Sequence, residues 1–527
     1  MARHRSPLAA YVQRMRRQDV RLLALARQGD TIALCEVGRR YLLGTDGFPR
    51  YLDLGLDYLS HPSLASSVQA TMVIADALSL AELARRNLLI VLSTAANAGL
   101  VSARLKLGIW RTLTSPDSAE AMCLLVAAAD AGCDMAASAL VAVRESPSNP
   151  GIAILNALLA FPSLEVQQAI VQALATAVRC RDLDFVARVL RQALLLRFES
   201  TSELADGVCE ALSMLQHRGL SLMTYQSQRV EALLALCVNR GNPAAALLLG
   251  RALCGINAAS IPSSLLTARR NVRRGSALLL RAADAGYTEA WTLLYRLHAN
   301  GHGPVANPQM ARFFLEKAAE GGSANAQRQL GALLLRSATC LEEAEQGVQW
   351  LHMASSVGDP LARQLLSTLL LPCEGSDDEA NSAIGAILDE DAWVAYRLRV
   401  ARDFGLTKVE AINVDVVAGA RAWGLVLLTP VPTSKSSIPR VLPGLRPEVL
   451  ENLRMAVEYF RRSGQTPASS DTGRRQRLQR LRFALERRGI DESLFFVQAN
   501  SSVLSARRVS STWAFHSRLK IQAALAD

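Results

Sequence analysis

A short joint rich in glycine and alanine recurs along this 527-residue chain and constrains its fold more than any other feature. Each joint has a glycine followed by an alanine four residues later, and the full form adds a second glycine nine residues after the first. Full copies begin at Gly29, Gly99, Gly241 and Gly322, and partial copies begin at Gly132, Gly286 and Gly358. Successive spacings include 33, 45, 36 and 36 residues, a period that is typical of solenoid proteins.

The residues at the joint predict a tight turn between two helices. Glycine adopts the left-handed conformation that ends a helix at little cost. In two joints an Asn or Asp and then a Pro follow, which is the favoured order for a helix start: Gly241-Asn242-Pro243 and Gly358-Asp359-Pro360. A turn this short makes the two helices antiparallel. The small residues around it let the helices approach closely, and a longer glycine-rich loop at 299–308 completes the unit.

This unit resembles the SEL1-like repeat, a relative of the tetratricopeptide repeat. Residues 290–322 read AWTLLYRLHANGHGPVANPQMARFFLEKAAEGG and follow the family pattern, although Asn307 stands where Asp is usual and Arg312-Phe313-Phe314 replaces the typical x-Trp-Tyr. Other stretches match with a longer insert (241–286), without the Gly-x-Gly loop (326–358) or loosely (29–132). The resemblance implies an all-α, superhelical solenoid of antiparallel helix pairs. It also implies a bacterial, non-catalytic adaptor that serves secretion, envelope assembly, signalling or virulence.

Between residues 149 and 238 the glycine and alanine pattern of the joint is no longer recognisable. Apolar residues nevertheless keep a helical spacing, as in VQQAIVQALATAVRC. We interpret this stretch as degenerate repeats of the same superhelix, and a separate helical domain is the alternative. The predicted order is a basic N-terminal helix (1–28), divergent repeats (29–148), degenerate repeats (149–238), clear repeats (239–390), a helix, β-hairpin and Pro/Ser-rich link (391–445), and a basic helical region with a partly disordered tail (446–527).

After residue 390 the sequence no longer follows the pattern of the helical repeats. Valines at 414, 416 and 417, a turn at 418–420 and the run 425–428 predict a small β-hairpin of a mixed extension. A Pro/Ser-rich link, an amphipathic helix at 447–463 and a loop at 464–473 follow. Residues 474–488 form a basic helix with a leucine stripe, and the last forty residues are predicted to be partly disordered.

The net charge of +11 is concentrated at the two ends. Residues 1–30 carry seven Arg against two Asp, and residues 446–520 carry fifteen basic against seven acidic residues. Basic ends suit nucleic acid, anionic lipid or an acidic protein. Because Arg supplies 53 of the 58 basic residues, we attribute much of the richness to a base-composition bias and favour a solvated helix face.

No catalytic motif is visible, so we predict no enzyme activity, no cofactor and no metal site. His298 and His302 are four residues apart but lie at a glycine-rich loop without other ligands nearby in sequence. The nine cysteines are scattered singly, which favours a reducing compartment. Neither a signal peptide nor an uncharged apolar run long enough for a membrane span is present, so we predict a cytoplasmic protein, with signal-independent export left open.

Two sets of residues are candidates for binding. Protein partners are expected on the concave face of the solenoid, at positions five or six residues after the joint glycines: Arg104, Trp291, Gln327, Arg328 and Arg363. Packing between repeats is the alternative for these positions. Anions would bind the basic helix through Arg474, Arg475, Arg477, Arg480 and Arg482. The alternative function is therefore a regulator that associates with nucleic acid through this helix.

Overall fold

The structure is a computed structural model that describes residues 17–115, 119–196, 198–217, 226–299, 305–428, 438–464 and 471–526. The chain divides into two compact units, residues 1–285 and 286–527. The boundary falls inside the stretch 239–390 that we predicted as one block of clear repeats. Each unit is a solenoid of packed helix pairs, and the second also carries the small mixed extension.

The described part of unit 1 is helical. Its α-helices are α1 (Arg17–Arg27), α2 (Thr31–Leu43), α3 (Leu52–Leu59), α4 (Val68–Ala77), α5 (Leu80–Arg85), α6 (Leu89–Asn97), α7 (Val101–Thr114), α8 (Ala119–Asp130), α9 (Asp134–Glu145), α10 (Pro150–Leu159), α11 (Val166–Cys180), α12 (Leu183–Leu195), α13 (Ser202–Met214), α14 (Ser227–Asn239), α15 (Pro243–Leu253), α16 (Ser263–Leu266) and α17 (Val272–Asp284). Short 3-10 helices cover Pro62–Leu64, Pro162–Leu164 and Leu215–His217.

Unit 2 adds a three-stranded sheet to its helices. Its elements are α18 (Thr288–Ala299), α19 (Pro308–Glu320), α20 (Ala324–Ser337), α21 (Leu341–Ser356), α22 (Pro360–Ser367), α23 (Asp377–Leu388), α24 (Ala392–Asp403), α25 (Lys408–Asn413), α26 (Val416–Gly419), β1 (Ala420–Arg421), β2 (Gly424–Val426), β3 (Val441–Pro443), α27 (Pro447–Ser463), α28 (Asp471–Glu486), a 3-10 helix (Glu492–Leu494), α29 (Ser501–Ser505), α30 (Ser511–His516) and α31 (Arg518–Leu525).

The joints have the predicted geometry. All seven joint glycines adopt a positive φ, between 86° and 100°, and the alanine four residues after each is exposed by 2% or less. At the joint that begins at Gly322, that residue is left-handed whereas Gly321 has a φ of −71°. Ser323 caps the next helix by accepting a hydrogen bond from the amide of Ala326. Asn242 and Asp359 cap their helices in the same way.

Glycines also pair across the helix interface. A Cβ on Gly331 of α20 would lie 2.7 Å from Leu351 Cγ and 2.8 Å from the carbonyl oxygen of Gly347 on α21. A Cβ on Gly347 would in turn lie 3.1 Å from the carbonyl oxygen of Gly331. Reciprocal pairs of the same kind join α2 to α3 (Gly38 and Gly55) and α15 to α17 (Gly250 and Gly275). The backbones of these helices therefore approach too closely for any side chain at the crossing.

The degenerate stretch 149–238 lies in the same compact unit as the repeats before it. Two side chains of α12 tie it to the end of α7: Arg188 donates to the carbonyl of Thr114, and Gln192 donates to that of Thr112 at 2.9 Å. These bonds join α12 to a helix of the divergent repeats, and the interpretation of 149–238 as degenerate repeats stays a prediction.

The predicted β-hairpin is partly wrong. Two of the predicted strand valines, 416 and 417, begin α26, because Asp415 accepts hydrogen bonds from the amides of Val417 and Ala418 and so caps a helical turn. The hairpin turn lies at residues 422–423, and β1 and β2 pair antiparallel. A third strand, β3, comes from the end of the predicted Pro/Ser-rich link, whose residues 430–437 lie outside the described part.

The tail is more ordered than we predicted. Residues 501–526 form α29, α30 and α31, and Trp513 is completely buried. The composition of this segment is rich in serine and arginine, but the indole of Trp513 and the side chains of Ile521 and Ala524 pack into the core of unit 2. Burial of these few anchors, which composition does not reveal, orders the segment.

Candidate functional site

The position five residues after the joint glycine has a structural role in two repeats. In one joint, Arg104 Nε donates to the carbonyl oxygen of Ala96 at 3.2 Å, and its Nη1 donates to that of Ala127. In another, Gln327 Nε2 donates to the carbonyl oxygen of Ala319 at 3.1 Å. Ala96 and Ala319 each lie three residues before their joint glycine, whose amide donates to the same carbonyl oxygen. The side chain therefore adds a second hydrogen bond at the end of the helix. Gln327 is buried instead of exposed as predicted.

Left-handed glycines followed by helix caps are what the predicted joint requires. The repeat resembles the SEL1-like repeat. No family model and no curated protein matches the chain. Among solved structures, a protective antigen of uropathogenic Escherichia coli strains with an SLR fold is 17% identical, with a TM-score of 0.30, and the match covers 92% of this chain and 98% of that one. A Sel1 repeat protein from Oxalobacter formigenes is 19% identical, with a TM-score of 0.26 and coverage of 70% and 95%.

Arg328 lies on the face formed by α20 and α22, the first helices of two successive repeats. We call this the first-helix face. Its guanidinium is buried and donates to the carbonyl oxygens of Ala524 at 3.0 Å and Ala526 at 2.7 Å. Nη1 also pairs with Asp359, the cap of α22, at 3.3 Å. The prediction that Arg328 faces an open groove is wrong, because helix α31 of the same chain covers it.

The segment that covers the first-helix face comprises residues 506–526, and we call it the docked segment. Its helix α31 packs on both α20 and α22, with Ile521 exposed by 3% and Ala524 by 0%. Trp513 Nε1 donates to Thr368 Oγ1 at 3.0 Å, just beyond the end of α22. Arg507 donates to the carbonyl oxygen of the same threonine at 2.9 Å. Apolar anchors and main-chain recognition thus hold a helix on successive repeats.

Trp291 forms an aromatic cluster with the neighbouring helix α19. Its ring stacks on Phe314 at 5.9 Å and meets Phe313 edge to face at 6.3 Å. Phe313 remains 43% exposed, and Lys317 Nζ lies 5.9 Å from the centre of its ring. His298 packs against Phe314, and burial lowers the pKa of its imidazole. Trp291 itself is half-buried and at the edge of an exposed aromatic surface.

Arg363 on α22 is exposed, whereas the other four predicted partner-binding residues are buried or half-buried. Its helix follows the cap Asp359 and is one of the two helices that form the first-helix face. Residue His302 lies outside the described part of the chain. Among the described residues, no three His, Cys, Asp or Glu side chains are grouped as metal ligands would be.

The basic helix α28 divides into neutralised and free cations. Arg480 makes a bidentate ion pair with Asp391, at 2.6 and 2.8 Å, and lies 5.1 Å from the ring centre of Trp393. Arg482 pairs with Glu486 at 2.6 Å. Arg477 is half-buried, and burial lowers the pKa of its guanidinium. Arg474 and Arg475 are exposed, and neither has an ion pair with a residue that the structure describes. The charge available to an anion is therefore smaller than the sequence indicates.

Several buried cations were missed because their partners are main-chain carbonyls. Lys106 Nζ donates to the carbonyls of Ala75, Asp76 and Leu78 at the end of α4, and burial lowers its pKa. Arg397 donates to the carbonyls at the end of α25 and lies 4.8 Å from the ring centre of Phe460. These cations complement the negative ends of helices. Lys106 and Arg397 therefore have structural roles at the ends of helices.

Within the described residues, no single helix has both the length and the apolar character of a membrane span. One pair, Pro150–Leu159 with Pro162–Cys180, meets these criteria only when both halves are combined, and it is bent by 109°.

Proposed function

We propose that this chain is a non-catalytic scaffold that binds other proteins through its SEL1-like helix pairs. Helical arrays offer long surfaces built from successive first helices. The residues that we singled out either lock these helices together or lie at the edge of exposed surface, and none is arranged with a second reactive group.

One observation carries this proposal: the first-helix face of unit 2 already holds a helix. Arg328 of this face donates hydrogen bonds to main-chain carbonyls of that helix. Apolar residues of the face pack against Ile521 and Ala524. Recognition of an amphipathic helix in a groove is a common way for one protein to bind another. The same face is therefore suited to helices of partner proteins.

The test is partner capture from extracts of the source organism with the full chain as bait. We expect the double substitution Trp291→Ala and Arg363→Ala to reduce capture of partners at least tenfold while helicity by circular dichroism stays unchanged. A control variant, Arg336→Ala, changes an exposed arginine at the end of α20 and should capture partners normally. Undiminished capture by the double variant would remove these two residues from the proposal, and capture of no partner by the wild type would remove the scaffold function.

A second candidate is nucleic-acid binding, which is favoured by Arg474 and Arg475, since both are exposed and neither pairs with an acidic residue in the described part of the chain. Because each phosphate contact adds about 0.9 to the slope of log affinity against log salt, Arg474→Ala with Arg475→Ala should lower this slope by about 2. The control is Arg454→Ala with Arg462→Ala, because those arginines already pair with Glu451 and Glu458. Absence of any shifted band at low salt would end this candidate.

We further propose a cytoplasmic protein, as predicted, and the single cysteines support this compartment because all nine are free. The pathway that such a scaffold serves, whether secretion, envelope assembly, signalling or virulence, follows from the resemblance alone. Identification of the captured partner is the measurement that decides among these pathways.

A further inference from the structure

The docked segment raises the question of what else the first-helix face binds. We propose that a partner protein presents an amphipathic helix to this face and displaces the docked segment, which acts as an internal competitor. The inference rests on the proposed scaffold function and adds its binding site, the chemistry of the partner and a form of regulation.

The strongest support is that Arg328 recognises main chain. Its Nε and Nη2 donate to the carbonyl oxygens of Ala524 and Ala526, which belong to the last turn of α31 and the residue after it. The last carbonyls of any helix lack partners within that helix and carry its negative dipole end. A buried guanidinium therefore recognises a helix end whatever its side chains are, and a foreign helix satisfies it equally well.

The buried side of α31 defines the rest of the partner. Ile521 and Ala524 are three residues apart, so they lie on one side of the helix, and both are buried against the first-helix face. Alanine at the second position brings the helix close enough for Arg328 to reach the carbonyls. The partner is thus an amphipathic helix with a branched aliphatic residue, a small residue three positions later and an end soon after.

The exposed side of the docked segment shows that its fit is incomplete. Phe515 is 74% exposed and Leu519 is 80% exposed, so docking leaves two of its largest apolar side chains in water. These side chains contribute nothing to affinity for the face. The docked segment compensates by being tethered, because a tether raises its effective concentration to the millimolar range.

Self-occupancy sets the affinity that a partner experiences. When a competent state is populated for a fraction of the time, the apparent dissociation constant is the intrinsic one divided by that fraction. A docked segment that opens about 1% of the time makes a partner helix bind about 100-fold more weakly. Any change that loosens the docked segment therefore strengthens partner binding.

The test uses the full chain and a fluorescein-labelled synthetic peptide with the sequence of residues 506–526, followed by fluorescence anisotropy. Ile521→Asp in the chain should open the face, so we expect this variant to bind the peptide at least tenfold more tightly than the wild type. Leu519→Asp is the matched control, because it places the same charge on the exposed side of the same helix and should leave the affinity unchanged.

A second substitution in the opened chain tests the role of the guanidinium. Arg328→Lys keeps a cation beside Asp359 but removes the planar fork, so peptide binding should weaken at least tenfold. Arg336→Lys, on the same helix but exposed, should have no effect. A measurement on the wild type needs no variant: excess unlabelled peptide should increase hydrogen exchange in residues 511–526 and leave α20 and α22 protected.

Three results would overturn the inference. The first is equal peptide affinity for the wild type and Ile521→Asp together with unchanged exchange in the wild type. The second is no binding to either chain. The third is a dimer by light scattering in which the docked segment covers a second copy. The peptide is the chain's own sequence, so the two proposals can fail separately. If the peptide experiment fails but partners are captured normally, the scaffold function stands. If the peptide binds as expected but no partner is captured, the docked segment still stands as an internal competitor.

Discussion

The regular repeats at 322–367 and the degenerate stretch 149–238 make the same tight turn with different residues. In the regular repeats, Gly322 holds the left-handed position with a φ of 86°. In the degenerate stretch, Arg181 holds it with a φ of 54°, and Asp182 caps the next helix through the amides of Asp184 and Phe185. A non-glycine residue in this conformation costs about 1–2 kcal/mol. The degenerate stretch therefore keeps the tight turn although a residue other than glycine occupies the left-handed position.

The two regions also hold their helices together differently. In the regular repeats, Gly331 and Gly347 let two backbones touch. In the degenerate stretch, Gly207 is the helical glycine of α13, and a Cβ there would meet only the side chain of Leu174, at 3.0 Å. Side chains such as Gln192 provide the specific ties instead. The two regions therefore share the shape of the joint but differ in how their helices contact each other. Glycine contacts join the helices in one region, and side-chain hydrogen bonds join them in the other.

The largest expected effect comes from filling a glycine contact. Gly331→Ala should lower the free energy of unfolding of unit 2 by about 3 kcal/mol, because its Cβ would collide with the backbone of α21. Hydrogen exchange of α20 and α21 measures the loss. Gly207→Ala should change the stability of α13 by less than about 1 kcal/mol, since the leucine side chain can move aside. Equal losses of stability for Gly331→Ala and Gly207→Ala would contradict the proposed difference between the two helix contacts.

A further control for the alanine substitution itself is Gly385→Ala. This glycine lies inside α23 with open space around its Cα, so the new methyl group should stabilise that helix by about 0.5–1 kcal/mol. A loss at Gly385 similar to that at Gly331 would show that alanine disturbs these helices for a reason other than the glycine contact.

An intermediate effect is expected from removing side-chain ties in the degenerate stretch. Arg188→Met with Gln192→Leu removes both bonds from α12 to the end of α7 and leaves two carbonyls without them. We expect a loss of about 2–3 kcal/mol, because bonds from charged donors contribute most. Exchange rates in α7 and α12 should rise together. Faster exchange in α12 alone would indicate a separate domain after all.

The smallest expected effect is a gain. Arg181→Gly should stabilise unit 1 by about 0.5–1 kcal/mol, because glycine relieves the left-handed strain at some cost in chain entropy. Thermal unfolding or exchange in α11 and α12 measures it. Asp182→Ala, which removes the cap but not the strain, should instead destabilise by about 1 kcal/mol. A loss with glycine would mean that the arginine side chain itself holds the turn.

Local chemistry explains what the sequence predicted well. The conformation of Gly322 and the cap at Ser323 depend on residues within one turn, so they are readable from a short stretch. The partner of Gly331 depends on which residue of another helix crosses it, and a single sequence does not contain that register. The hairpin prediction failed at Asp415 because a capping aspartate outweighed the β propensity of the valines after it.

The candidate site shows the same limit. Arg328 was identified by its offset from the joint, and it does contact a helix. Its occupant lies 196 residues further along the chain, in a segment whose composition resembles that of disordered tails. Arg480 and Arg482 were candidates for anion binding, but the carboxylates of Asp391 and Glu486 pair with them. Predictions that depended on the identity of the neighbour were therefore the ones that needed the structure.

The long separation between Arg328 and α31 has a consequence for folding. Arg328 and Ala524 are 196 residues apart along the chain, so the contact between them forms only after a large loss of chain entropy. The helices α20 and α21 are neighbours along the chain, so their contacts require a smaller loss. We therefore expect the helix pairs to fold early and the docked segment to join them in a late step. On unfolding we expect the reverse order, with this contact opening first. The newly synthesised protein would then pass through a period in which its repeats are formed while the first-helix face is still uncovered.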